Sequence, residues 1–232
     1  MSKNQVATVQ TTMPAFLQGK TSARGQENVT AADLVIPRLE IVQSLSPCRK
    51  KTDPAYIEGA EEGLLYNNVT RELYGSSVLL VPVFYKKEWL VWKDRNKGGG
   101  FRGAFTSELE AKQHINELDV PEDYFAQDTA SHFCLMVKAD GSSEDIVVSM
   151  SKSKLKTSRK WNSLIRLAGG DSFSRVYKLT GVEQTNANND TFYGFDVANA
   201  GFPSEEIYNR GEKLYNAVSE GRATAQHDED DL

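Results

Sequence analysis

The 232-residue chain is 39% hydrophobic, enough for one sizeable core with appendages. Its formal net charge of −5 excludes a uniformly basic polyanion binder, but Asp228, Glu229, Asp230 and Asp231 crowd the C-terminus, and removing them brings −5 to −1. Two distant cysteines and three scattered histidines fit neither a zinc site nor a disulfide framework, and no apolar run is long enough to cross a bilayer.

Residues 1–30 are rich in Thr, Gln, Ser and Asn and read as a mobile arm. The first apolar segment, Asp33 to Pro47, is expected to lie extended, because Pro37 interrupts it and Pro47 ends it. Ser77 to Tyr85 reads as a strand buried on both faces, with Pro82 requiring an edge or a bulge. Glu88 to Lys93 reads as a second strand that points Trp89 and Trp92 to opposite faces. The stretch DRNKGGGFRG reads as a flexible basic loop, and Ser107 to Leu118 as a helix. SHFCLMVKADG and EDIVVSM form a hairpin turning at Asp140-Gly141. A basic helix then runs to Ala168 and stops at Gly169-Gly170. A second hairpin turns at Asn186 to Asp190, and a C-terminal helix follows, with Ile207, Leu214, Tyr215 and Val218 as its apolar stripe.

The basic helix organises the reading. Over Ser151 to Ala168 it carries Lys152, Lys154, Lys156, Arg159, Lys160 and Arg166 and no acidic residue. At about 100° per residue, Lys152, Lys156, Arg159, Lys160 and Arg166 share one side. Trp161, Leu164, Ile165 and Ala168 share the other, so Trp161 is expected in the core. Such a helix buries one face and offers a cationic stripe to a polyanion. A merely solvated lysine face is the alternative.

The element order predicts a mainly β domain with added helices (α+β). Its expected form is an OB-fold-like small barrel with a helix between the third and fourth strands. The organisation expected is an arm over 1–30, the OB-like nucleic-acid-binding domain over 31–202, a helix over 203–221 and a flexible acidic tail over 222–232. An OB barrel binds single strands through basic groups and aromatic platforms. Two candidate clusters fit. One is Lys86, Lys87, Trp89, Trp92, Lys93, Arg95, Lys97, Phe101 and Arg102; the other is Tyr177, Lys178, Phe192, Tyr193 and Phe195 on the last hairpin. About half of these aromatics must face the core.

Catalytic patterns are incomplete. Asp94 with Glu110-Ala111-Lys112 loosely mimics a metal nuclease, but the Glu-x-Lys falls on a polar helix. His132 and Cys134 share one strand face and read as a core pair. The glycine loop lacks the Lys-Ser/Thr ending of a P-loop. No metal, cofactor or catalytic residue is implied.

The strand order, the basic-aromatic groove and the acidic tip together resemble phage and bacterial single-stranded DNA-binding proteins. LEIVQSLSP, GAEEG, the W-K-D-R-x-x-GGG stretch and S-R-K-W-N are also similar to small replication or recombination proteins of tailed phages. The resemblance implies a non-enzymatic single-stranded DNA-binding protein for replication, recombination or repair, in the host cytoplasm if phage-encoded. It also implies that Asp228 to Asp231 recruit replication enzymes and compete with DNA, although the chain ends in Leu232 where such tails carry an aromatic. The competing expectations are an RNA or duplex binder using the same helix, a structural or adaptor protein of a phage, and a metal-dependent nuclease.

Overall fold

The computed structural model describes residues 36–223. The expected arm over 1–30 and the tail carboxylates Asp228, Glu229, Asp230 and Asp231 lie outside the described residues. A small antiparallel sheet comes first, from β1 (Leu39–Ile41), β2 (Leu65–Asn67) and β3 (Leu73–Gly75). A six-stranded sheet follows, built on β4 (Ser77–Lys93), β5 (Phe101–Phe105), β6 (Tyr124–Val137), β7 (Ser143–Ser151), β8 (Val176–Thr185) and β9 (Thr191–Gly201). Its order is β7-β6-β4-β8-β9, and β5 pairs with the far end of β4. The α-helices among the described residues are α1 (Glu108–Asn116), α2 (Leu155–Ala168) and α3 (Glu205–Ser219).

The two strands expected at Ser77–Tyr85 and Glu88–Lys93 are one 17-residue strand. Lys86-Lys87-Glu88 breaks the apolar pattern but not the backbone, because β6 pairs along the whole length from Leu79↔Val137 to Lys93↔Tyr124. Pro82 sits at a bulge in that ladder, where the missing amide proton is tolerated.

The sheet is open, which overturns the OB-like barrel. Closure would require the outer strands β7 and β9 to pair, and other groups occupy both edges. On β7, the Val147 amide donates to the Pro37 carbonyl at 2.8 Å, and the Arg210 guanidinium bonds the Ser143 carbonyl. On β9, the Gln43 carboxamide acts as a surrogate strand. Its Nε2 donates to the Tyr193 carbonyl at 2.7 Å, and its Oε1 accepts the Tyr193 amide at 2.9 Å. The Thr157 hydroxyl donates to the Phe195 carbonyl at 2.7 Å. Capped edges resist both closure and pairing with another chain. The architecture is a mixed α/β fold around an open sheet.

Alternation along the strands divides the core. Leu80, Cys134, Met136, Ile146, Val148 and Met150 point to one face, where Trp161 of α2 and Leu39, Ile41 and Leu65 of the small sheet cover them. Val81, Val83, Phe133, Leu135 and Val147 point to the other, under Ile207, Leu214 and Val218 of α3. Tyr215, expected in that stripe, is 42% exposed at its margin. Ser204 caps α3 by accepting the Ile207 amide at 3.3 Å.

The small sheet presses on β8 at Gly181. A Cβ there would lie 2.3 Å from the Gly63 carbonyl oxygen and 3.0 Å from Ile41 Cδ1. Backbone cannot yield as a flexible side chain can. Gly181→Ala is therefore expected to destabilise the protein by about 1–3 kcal/mol, read as a lowered urea midpoint. An unchanged midpoint would show that this approach is not a tight one.

Candidate nucleic-acid interface

The cation stripe read from sequence is present on α2. Lys156, Arg159, Lys160 and Arg166 are exposed, while Thr157, Ser158 and Trp161 are buried and Leu164 and Ile165 pack against the core. Two positions differ from the helical wheel. The α-helix starts at Leu155, after a 3-10 turn over Lys152–Lys154, and Lys152 has φ 52°. Lys152 and Lys154 thus belong to the strand-to-helix junction. Lys154 lies over the Phe195 ring at 5.2 Å, and Lys160 pairs with Asp196 at 2.6 Å. That pair holds the Asp196 carboxyl below its ordinary range, with help from the Val197 amide. Lys156, Arg159 and Arg166 make no ion pair among the described residues.

The cluster around the glycine loop does not form one surface. Lys86 and Lys87 point to opposite faces, as their register opposite Ser131 and Ala130 requires. Lys86 pairs with Glu88 at 2.8 Å, Lys87 with Asp128 at 3.1 Å and Lys97 with Asp123 at 3.7 Å, while Lys93 lies 5.6 Å over the Tyr124 ring. Arg102 donates to the Phe101 carbonyl at 2.8 Å. Arg95 and Lys97 sit in a short turn capped by the Asp94 carboxylate, which accepts the Asn96 amide. The expected flexible loop is a defined β4–β5 turn, in which Gly98, Gly99 and Gly100 all adopt positive φ. The Gly98 and Gly99 amides donate to the Arg95 and Asp94 carbonyls, so they cannot cradle a phosphate.

Three of the seven expected aromatic platforms, Trp92, Tyr177 and Phe195, are core, and the other four are half-buried. Trp92 is fully buried, with its ring 5.3 Å from Phe101. Tyr177 of β8 and Phe195 of β9 are buried in the core layer that Trp161 of α2 shares. Tyr193 packs on Gly63 and Phe192 is half-buried; Lys178 of the same hairpin is exposed. Trp89 alone of the two β4 tryptophans is half-exposed, on the α2 side of the sheet.

The nuclease-like residues have local structural roles. Ser107 accepts the Glu110 amide at 3.3 Å, and the Glu110 carboxylate accepts from the Thr106 amide at 3.1 Å and its hydroxyl at 2.8 Å, a helix-start box. Lys112 pairs with Glu108 at 2.6 Å one turn away. No three acidic, histidine or cysteine side chains gather as a metal site among the described residues.

One aromatic absent from both sequence clusters stands beside the stripe. Tyr85 opposes His132 across the β4–β6 ladder, with ring centroids 5.1 Å apart. His132 stacks on Trp161 at 4.5 Å and 16°, and its Nε2 meets the Ser158 hydroxyl at 2.8 Å. Burial holds the His132 imidazole neutral, with its pKa pulled down to about 3. Tyr85, its ring tilted 57° to that of His132, is 41% exposed. The sequence reading took Ser77 to Tyr85 as a strand buried on both faces and held no signal for the exposure of Tyr85.

A family model described as Pam3 phage gp34-like protein matches residues 3–224. No curated protein and no solved structure matches the chain.

Two outcomes follow from the buried groups. Trp92→Ala is expected to lower stability by about 3–5 kcal/mol in urea denaturation, and Trp89→Ala by much less. Comparable losses at both positions would contradict the assignment of faces. The depressed His132 pKa means that the unfolded chain takes up a proton, below about pH 6.5, that the native state refuses. Stability contributed by neutral His132 is complete above that pH and falls toward pH 3, by up to about 1.4 kcal/mol per pH unit. An imidazole NMR titration with a midpoint near 6.5 in the folded protein would refute this.

Proposed function

This chain belongs to the Pam3 phage gp34-like protein family, and for it we propose a non-catalytic, DNA-binding role in which phosphates lie along the outer face of α2. The observation that carries this reading is the division of α2. Its inner face is locked into the core through Trp161, while Lys156, Arg159 and Arg166 stand exposed outside, with no carboxylate in the helix itself. Lys160 becomes available once its exposed pair with Asp196 opens, a contact of a kind worth about 0–1 kcal/mol. The barrel groove is not part of this reading, because the sheet is open and Trp92, Tyr177 and Phe195 of the groove's expected aromatics are core.

Contacts to phosphate give affinity and orientation without reading bases. The near-neutral body suits such binding: attraction is local to α2, and the rest of the surface does not hold nucleic acid indiscriminately.

The test is the triple change of Lys156, Arg159 and Arg166 to alanine, with single-stranded and duplex oligonucleotides titrated at several salt concentrations. All three side chains face solvent, so the fold is expected to survive. The slope of log affinity against log salt should fall by about 0.7 for each phosphate no longer neutralised on a single strand, or about 0.9 on a duplex. An unchanged slope in a folded variant overturns the assignment to α2. Absence of any binding by the parent protein at low salt overturns the DNA-binding role and favours a structural or adaptor part in the phage.

A further inference from the structure

Tyr85 is the exposed end of a set of ring contacts that leads through the core to α2. Its ring packs on His132 at 5.1 Å with a 57° tilt, and His132 in turn stacks on Trp161; the inner two rings are buried and Tyr85 alone of the three meets solvent. The set is fixed at three points. Trp161 is held by the core, His132 by Ser158, and Tyr85 by its register opposite His132. An exposed tyrosine on a strand is ordinarily free to swing; this one is backed by an immobile imidazole.

The connection from Tyr85 to the cations of α2 runs through His132 and Ser158. Ser158, which grips His132, sits between Lys156 and Arg159 on α2. On β4, Lys87 follows Tyr85 on the same face, and half-exposed Trp89 follows Lys87. Across the ladder, Thr129 opposes Ser151, so the junction carrying Lys152 begins beside Asp128, the partner of Trp89. Tyr85 is thus linked to α2 through His132 and Ser158, and Lys87 and Trp89 follow it on its own face of β4.

We infer that Tyr85 stacks an unpaired nucleobase of a strand whose phosphates run along α2. The inference rests on the DNA-binding role proposed for α2 and adds the part of the ligand that this surface recognises: a flat base next to the phosphate. A preformed platform favours stacking because little side-chain freedom is lost on binding. Any base can occupy it, since every base offers a π-face.

The test compares a thymidine dodecamer with an abasic deoxyribose-phosphate chain of equal length, each titrated against the parent protein, Tyr85→Ala and Tyr85→Phe. The parent and the Phe variant should prefer the thymidine strand, and the Ala variant should lose about 5- to 150-fold in affinity for it. Affinity for the abasic chain should be the same in all three. Circular dichroism of the Ala variant, together with retained binding by Phe, separates a missing platform from a missing fold. Equal weakening on both chains would make Tyr85 a support for the fold and overturn the inference. Equal affinity of the parent for both chains would overturn it too, while leaving the phosphate-binding role intact. If neither chain binds the parent, the role of α2 falls and the inference falls with it.

Discussion

Trp161 lies almost flat on His132, and this contact ties the one basic helix to the middle of the sheet. An imidazole in that position must be neutral. A charged ring would be stranded in an apolar layer, where the Ser158 hydroxyl alone could not replace its hydration. Burial supplies the neutrality by pulling the pKa to about 3. The side chains that make α2 amphipathic then have a fixed consequence: once Trp161 is seated, Lys156, Arg159 and Arg166 have nowhere to point but outward.

The same layer explains why the sheet does not close. The small sheet β1-β2-β3 shares the α2 side of the core, contributing Leu39, Ile41 and Leu65. The chain around it supplies Gln43 to one edge of the large sheet and Pro37 to the other. Both edges are therefore occupied by groups that arrive with the cover of the core. A barrel would have to displace that cover. The open sheet is the more stable solution for a chain that brings its edge caps along with its lid.

Much of this was legible, and the illegible part has a common cause. The α2 stripe, the bulge at Pro82, the two hairpins and the opposite facing of Trp89 and Trp92 depend on local periodicity, which the sequence carries. The small sheet was missed because its strands have three residues each and Leu39 pairs with Asn67, far along the chain. β5 was hidden because FRGAF, preceded by three glycines, lacks a β-branched residue. Closure was misjudged because it is decided by single side chains such as Gln43 and Arg210, about 150 and 65 residues from the strands they cap. The candidate cations share this limit. Whether Lys87 or Lys160 is free depends on Asp128 and Asp196, which no spacing rule connects to them.

The start of α2 departs from what helix stability alone would select. A helix N-terminus carries partial positive charge, for which carboxylates are the ordinary complement. Here the first turn has no acidic residue and no side-chain cap, and Lys152, Lys154 and Lys156 crowd the positive end. Each such cation costs about 0.3–1 kcal/mol near an exposed terminus. Lys152 also holds a left-handed conformation that a non-glycine residue seldom adopts. Local rules broken together at one place are expected where function overrides stability. An anion along this turn would answer Lys154, Lys156 and the helix terminus at once, which supports the phosphate track proposed for α2 over one on the paired Lys86 and Lys87 of β4.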